Sequence, residues 1–277
     1  MTAKPESNGF FCGVDIGASA TKVVIIDAGG KTIAGAVMPS GVDYANTAGQ
    51  CLDRALAKAG LGVGDMARTV STGYGRANVP FADASMTEIH CHGVGCHHHI
   101  TGALSLVDIG GQDNKVIHLG VDGRRLDFMM NRKCAAGTGA FIEEIALRLG
   151  VDLGEMNGLA ASTDDAVRLS SFCTVFAKTE ILAHLRKGAP VASIVRGAFV
   201  SVITRVIEMD PLNGAVALTG GVVAHNPVVA DILSKKLGRP VRVPPNPQLI
   251  GALGAALVAK RQFKDESKTG KEGGPHA

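Results

Sequence analysis

Apolar residues fall in short runs broken by glycine, and the spacing within the runs alternates between strand-like and helix-like. Phe10 to Ile16 reads as a buried strand, Lys22 to Ala28 as a second, and Gly29-Gly30-Lys31 as the turn into a third, which makes a β-meander. From Thr47 to Ala59 the apolar positions Ala48, Cys51, Leu52, Ala55 and Leu56 recur at helical spacing. A second strand-turn-strand unit follows at Ser105 to Leu119, and Gly120 to Gly123 turns into Arg124 to Asn131. Helices are predicted at Gly139 to Leu149, Thr174 to Lys187, Pro190 to Met209 and Pro227 to Leu237, with a strand at Ala215 to Leu218 leading into Thr219-Gly220-Gly221. The ends, Thr2 to Gly9 and Gln262 to Ala277, are polar without apolar periodicity and read as solvated tails.

The layout repeats. Val14-Asp15-Ile16-Gly17-Ala18 and Val107-Asp108-Ile109-Gly110-Gly111 share Val-Asp-Ile-Gly, and each aspartate is followed seven positions later by a lysine, Lys22 and Lys115. Internal duplication accounts for the repeat. The chain is therefore expected to form two similar α/β lobes facing each other across a cleft. Lobe I takes residues 10–104 with 250–262, lobe II takes 105–249 and carries the cysteine helices, and 1–9 and 263–277 are expected to be flexible tails.

Composition narrows the function. Hydrophobic residues make up 46%, enough for real cores. The 28 basic and 25 acidic residues leave a net charge of only +3, scattered rather than massed in a stripe, which argues against nucleic acid as a partner. With 36 glycines and 4% aromatics, backbone is free to approach a ligand closely in many places, as phosphate binding requires. No apolar run reaches the ~18 residues that span a bilayer, and Met1 to Asn8 lacks the basic-then-apolar form of a secretory signal. A cytoplasmic location without membrane contact is expected, where the six cysteines stay reduced and open to metal or redox chemistry.

In each repeat an aspartate ends a strand and small residues form a tight turn, so consecutive N–H groups can converge on an anionic oxygen. Gly17, Ala18, Ser19, Ala20, Thr21 and Lys22 in the first copy, and Gly110, Gly111, Gln112 and Asp113 in the second, are the candidate phosphate contacts. Asp15 and Asp108 would face Mg2+ or its waters, because magnesium prefers carboxylate, water and phosphate oxygens. A third turn at Gly220, Gly221 and Val222 follows a buried strand and lets a base or ribose lie against backbone. No Walker sequence occurs, and no Gly-x-Gly-x-x-Gly joins a strand to a helix, which argues against P-loop and Rossmann sites. Nor does any Ser-His-Asp arrangement or carboxylate pair stand out. For hydrolysis the economical picture is a water oriented near Asp108 or Gln112, the candidate catalytic residues.

These residues resemble the actin, sugar-kinase and heat-shock ATPase superfamily. Gly13 to Lys22 looks like its first phosphate motif, Val107 to Lys115 its second, and Leu218 to Ala224 its adenosine motif. The resemblance implies two duplicated actin-like (ribonuclease H-like) lobes that rotate around bound ATP or ADP. A small-molecule (sugar) kinase of the same superfamily, or a nucleotide-gated regulatory module without a metal centre, stays open as an alternative.

Two cysteines stand at helix entrances. Cys134 lies in Asn131 to Gly139, just before an amphipathic helix, and Cys173 precedes the helix containing Phe176, Ile181 and Leu185. The unpaired N–H groups there favour a negative ligand, so thiolates or an anionic iron-sulfur centre would be stabilised. Gly137, Thr138 and Gly139 follow Cys134 so closely that one helix entrance could touch nucleotide phosphate and metal centre alike. An iron-sulfur cluster usually takes four thiolates, and a twofold dimer would supply the missing two.

Lys133 to Gly139 and Phe172 to Ala177 look very like the cluster-ligand segments of the 2-hydroxyacyl-CoA dehydratase activators, and resemble ATPase subunits of the benzoyl-CoA reductase family. This resemblance implies a homodimer or pair of related subunits with one 4Fe-4S cluster held by Cys134 and Cys173 from each side. It also implies that ATP hydrolysis drives a low-potential electron, supplied by reduced ferredoxin or flavodoxin, into an acyl-CoA dehydratase or aromatic-ring reductase. The histidine-rich run from His90 to His99 fits zinc weakly, since Cys91 and Cys96 have no second pair at finger distance, and is predicted to be an ordinary helix or interlobe segment. Thr87-Glu88-Ile89 with Cys91-His92 resembles a segment common in the activator family, with Val94 where a basic residue is expected. Glu143, Lys178 and Glu180 are predicted on solvated helix faces near the proposed sites.

Overall fold

The computed structural model describes residues 9–131, 134–169 and 173–272. In chain order it places strands β1 (Phe10–Ile16), β2 (Ala20–Ile26) and β3 (Thr32–Pro39), helix α1 (Tyr44–Ala59), strands β4 (Met66–Thr72) and β5 (Ala84–Ser85), and helix α2 (Glu88–His99). Strands β6 (Leu104–Ile109), β7 (Asn114–Leu119) and β8 (Arg125–Asn131) come next, then helices α3 (Gly139–Leu149), α4 (Met156–Ala161), α5 (Thr174–Arg186) and α6 (Val191–Met209). Strand β9 (Val216–Thr219) and helices α7 (Gly221–His225), α8 (Val228–Leu237) and α9 (Ile250–Glu272) complete the order. The described residues up to His98, with those from Leu249 onward, form unit 1, and His99–Gln248 form unit 2. Among the described residues no helix is long and apolar enough to cross a membrane.

Unit 1 is built on a five-stranded sheet of order β3-β2-β1-β4-β5. The first three strands are an antiparallel meander, and β4 joins β1 in parallel. Central strand β1 is apolar along nearly its whole length because helices cover both of its faces. α1 packs its stripe of Ala48, Cys51, Leu52, Ala55 and Leu56 against Cys12, Val14, Ile16, Val23 and Ile25. The helix starts three residues before the apolar period does, because the Asp43 carboxylate accepts from Asn46 N–H at 3.0 Å and caps an exposed first turn. It stops at Gly60, whose left-handed backbone lets its N–H reach the last carbonyls. α9 covers the other face, and Gly13 is required there because a Cβ would strike the Ala252 carbonyl.

Unit 2 restates the plan with a four-stranded sheet of order β8-β7-β6-β9, again an antiparallel meander with one parallel strand beside its first. The duplication extends to register. Asp15 stands opposite Lys22 and beside Thr72, and Asp108 stands opposite Lys115 and beside Thr219. The core gathers around α6, whose Val195, Ala198, Phe199 and Val202 are fully buried, with α3, α4, α5 and α8 packed against it.

Two expectations need correction. The chain does not become irregular at Gln262: α9 runs on to Glu272, and Lys264 to Lys268 are exposed. Beyond the packing of Phe263 on Phe11 this stretch is polar and carries no apolar period, so nothing in its composition marks a helix. The segment after Gly220 is the short helix α7 rather than an open turn, with Val222 and Val223 buried. Residues 1–8 and 273–277, also read as tails, lie outside the described residues.

Candidate functional site

The first candidate turn closes with Gly17 N–H donating to the Ala20 carbonyl at 3.0 Å. Register puts Lys22 across from Asp15, and Lys22 Nζ meets Asp15 Oδ2 at 3.2 Å; the carboxylate is 95% buried. Space is scarce, since a Cβ on Gly17 would lie 3.1 Å from both the Ala20 carbonyl and Lys22 Nζ. Two further glycines crowd the same carboxylate. A Cβ on Gly73, where φ is +88°, would come within 2.5 Å of Asp15 Oδ1, and one on Gly251 would lie 2.8 Å from both Asp15 Oδ2 and His92 Nε2. No sequence motif pointed to Gly73 or Gly251. Ser19 is exposed at the tip of the turn, but Thr21 is buried, with its hydroxyl 3.0 Å from Ser40 Oγ, so it offers a ligand only backbone.

The second turn is the same device with one more carboxylate. Asp108 is buried; its Oδ2 lies 3.3 Å from Lys115 Nζ and its Oδ1 accepts from the Thr219 hydroxyl at 3.1 Å. Lys115 also meets Asp113 Oδ1 at 2.7 Å, while Gly110 N–H donates to the Asp113 carbonyl at 2.9 Å and closes the turn. Gln112 is exposed at the tip. A lysine beside a tight glycine turn can serve as a counter-charge to phosphate, and a buried aspartate fixed on both oxygens can order a hydrated cation. In the third segment Gly220 has φ +101°, and a Cβ would strike the Ile109 carbonyl, which forces glycine there. Gly221 opens α7, and Val222 turns its side chain into the core, so this segment presents backbone.

Of the six cysteines, Cys134 and Cys173 are exposed, whereas Cys12, Cys51, Cys91 and Cys96 are buried. Burial pushes the thiols of Cys12 and Cys91 up to about 12 and that of Cys51 up to about 11, so these three stay protonated at neutral pH and make poor metal ligands. Cys173 is the residue that caps the start of α5. Cys134 enters a loop that leads through Gly137, where φ is +83°, to α3. Thr138 turns inward, donating its hydroxyl to the Ala135 carbonyl at 2.7 Å. Gly139 N–H donates to the Gly110 carbonyl at 2.9 Å and Ala140 N–H to the Gly111 carbonyl at 2.8 Å. The thiol-bearing loop is thus hung on the second candidate turn. Arg132, Lys133, Ser170, Ser171 and Phe172, which belong to the two cysteine segments, lie outside the described residues.

Around these entrances, Lys178 on α5 pairs with Glu144 on α3 at 2.8 Å, and Arg148 joins the same carboxylate. The lysine and arginine hold the Glu144 carboxyl below its ordinary range. Neighbouring Glu143 is exposed, as its place on a solvated helix face predicts. The histidine-rich run is helix α2, with Cys91, His92 and Cys96 buried. Among the described residues no group of three or more His, Cys, Asp or Glu side chains comes together to hold a metal.

Comparison with known proteins gives this geometry a family. The chain is 38% identical to the 2-hydroxyisocaproyl-CoA dehydratase activator of Clostridioides difficile over 92% of its own length and 97% of the relative's. It is equally 38% identical to the (R)-2-hydroxyglutaryl-CoA dehydratase activating ATPase of Acidaminococcus fermentans, over 90% and 96%. The solved activator of the 2-hydroxyisocaproyl-CoA dehydratase from Clostridium difficile with bound ADPNP superposes with a TM-score of 0.87 at 36% identity, covering 94% of this chain and 97% of that one. Such a likeness gives both units the actin-like fold that the repeated motifs imply. The model of the BadF/BadG/BcrA/BcrD ATPase family matches residues 12–259, and the chain belongs to that family.

Proposed function

We propose that this chain is an ATP-dependent activator of a 2-hydroxyacyl-CoA dehydratase, and that it works through a 4Fe-4S cluster shared by two copies. The observation that carries the reading is the attachment of the Cys134 loop to the Gly110-Gly111 turn, which joins the thiol-bearing loop to the candidate phosphate turn. The relatives at 38% identity are themselves dehydratase activators, which favours a dehydratase over an aromatic-ring reductase as partner.

In this reading the two turns bind the nucleotide phosphates through Gly17 to Lys22 and Gly110 to Asp113, with Lys22 and Lys115 as counter-charges. Asp15 and Asp108 would hold Mg2+ or its waters, and Asp108 or Gln112, which is exposed at its turn, would orient the attacking water. Gly220 and Gly221 offer backbone to the nucleoside. ATP and water become ADP and phosphate, while one electron leaves reduced ferredoxin or flavodoxin and ends on the dehydratase.

The thiols fit a shared cluster. Each chain exposes two cysteines while the other four are buried, and two is half the usual set. When bound, a 4Fe-4S group supplies a one-electron carrier of low potential. Cys134 and Cys173 from each of two copies would hold it, and the free N–H groups at the start of α5 would favour its negative charge beside Cys173. The test is activation of a 2-hydroxyacyl-CoA dehydratase with an artificial reductant and MgATP. Activation should need all three components and be lost in Cys134→Ala and Cys173→Ala, both of which should still bind nucleotide. Variants that activate as the parent does, or that lose nucleotide instead, would overturn the assignment.

A further inference from the structure

Asn114 opens β7 directly after the Gly110–Asp113 turn, and it is 98% buried. Its Nδ2 donates to the Gly137 carbonyl at 2.5 Å, whereas its Oδ1 is buried with no hydrogen-bond partner among the described residues. The bond to the Gly137 carbonyl holds the loop, but a buried acceptor left unsatisfied on the same side chain lowers stability, so the strap is kept at a cost. Across the ladder stands Asn131, whose Nδ2 donates to the Cys134 carbonyl at 3.3 Å. Two facing amides therefore hold the two ends of the loop from Cys134 to Gly137. A Cβ on Gly137 would lie 3.0 Å from Arg205 Cβ on α6 and 3.1 Å from Asn114 Nδ2, so the loop is also seated tightly.

The remaining attachments have a specific geometry. The Gly110 carbonyl, which accepts from Gly139, belongs to the same peptide plane as Gly111 N–H. The Gly111 carbonyl, which accepts from Ala140, shares its plane with Gln112 N–H. A trans peptide is rigid and points its N–H and C=O to opposite sides. Drawing either N–H toward a phosphate must swing the attached carbonyl, and with it the start of α3 and the Cys134 loop.

We propose that these two peptide planes, strapped by Asn114, transmit occupation of the phosphate turn to Cys134, with Asn114 as the positioning residue. The proposal rests on the nucleotide reading given above and adds the route by which nucleotide reaches the thiol. The unsatisfied Asn114 Oδ1 fits a loop with two arrangements, because a swung peptide or an entering water can supply the missing donor.

The test uses the full chain carrying Cys173→Ser, free of metal, and follows alkylation of Cys134 by iodoacetamide with and without magnesium and ADPNP. Bound ADPNP should change the rate about fivefold or more, the lower end of ordinary coupling between sites. In Asn114→Leu that ratio should fall below about twofold while ADPNP affinity stays within about threefold, which a purely structural role would not produce. If Asn114→Leu fails to fold, Asn131→Leu, which frees the other end of the loop, carries the same test. An unchanged ratio in the variant, or ADPNP binding to the parent without any change in labelling, would overturn the coupling alone. Failure of the parent to bind ADPNP would overturn the nucleotide reading beneath it.

Discussion

Replacing Lys115 with methionine isolates the electrostatics of the second turn. Lys115 is 95% buried at its side chain and faces Asp108, itself 96% buried, and the half-exposed Asp113. Methionine keeps the aliphatic stem but leaves Asp108 as a buried charge without its lysine counter-charge. Removing one partner of a buried pair costs about 3–5 kcal/mol, because the survivor remains desolvated without its counter-charge. At about 2–4 °C per kcal/mol for a domain of this size, unit 2 should melt roughly 6–20 °C lower. Deleting both charges in Lys115→Met/Asp108→Leu should restore most of that stability, since a buried pair is worth little against apolar residues of similar volume. The first turn serves as an internal control. Lys22 is 16% exposed and, among the described residues, pairs with Asp15, so Lys22→Met should lose less. Calorimetry on the four proteins, nucleotide-free, decides the matter. A Lys115→Met protein as stable as the parent, or a double variant no more stable than the single, would refute the reasoning.

Three further outcomes follow from the same geometry. Ellman's reagent at pH 8 should find two fast thiols per native metal-free chain, Cys134 and Cys173, while Cys12, Cys51 and Cys91, held at about 12, 11 and 12, react only after denaturation. Gly73→Ala should destabilise the protein by about 1–3 kcal/mol through the left-handed backbone, and should raise KM for ATP by displacing Asp15; an unchanged KM would remove Gly73 from the site. The Glu144 carboxyl is depressed in the folded state by Lys178 first and Arg148 second, so its contribution is present above the ordinary glutamate range and is lost as pH falls through the lower folded value. Glu144→Gln should flatten that acid limb of the stability profile, and a limb of unchanged slope would sink the assignment.

The paired aspartates were readable in the sequence because a meander of fixed period puts the seventh residue after each aspartate opposite it in the ladder, so the Asp-to-Lys spacing carries a geometric fact. The limits of α3, α6 and α8 were readable for a similar reason, since caps and apolar period coincide there. What surrounds Asp15 was not. Gly73 and Gly251 come from segments far along the chain and meet at the carboxylate only after folding. Thr21 and Thr138 looked like ligand contacts, but a hydroxyl beside a turn can equally bond inward, and both do. The short α7 was missed because five residues are too few to separate a helical period from a glycine turn. Asn114 had no motif to mark it, and its meaning comes from the carbonyl it holds.

Iron and acid-labile sulfide, measured against chain mass on protein purified without oxygen, test most directly whether two copies join through their exposed thiols. The account predicts about four irons and four sulfides for every two chains, in a species of twice the chain mass that falls apart or loses iron in Cys134→Ala. Monomeric, iron-free protein that stays so after reconstitution with iron and sulfide would contradict it.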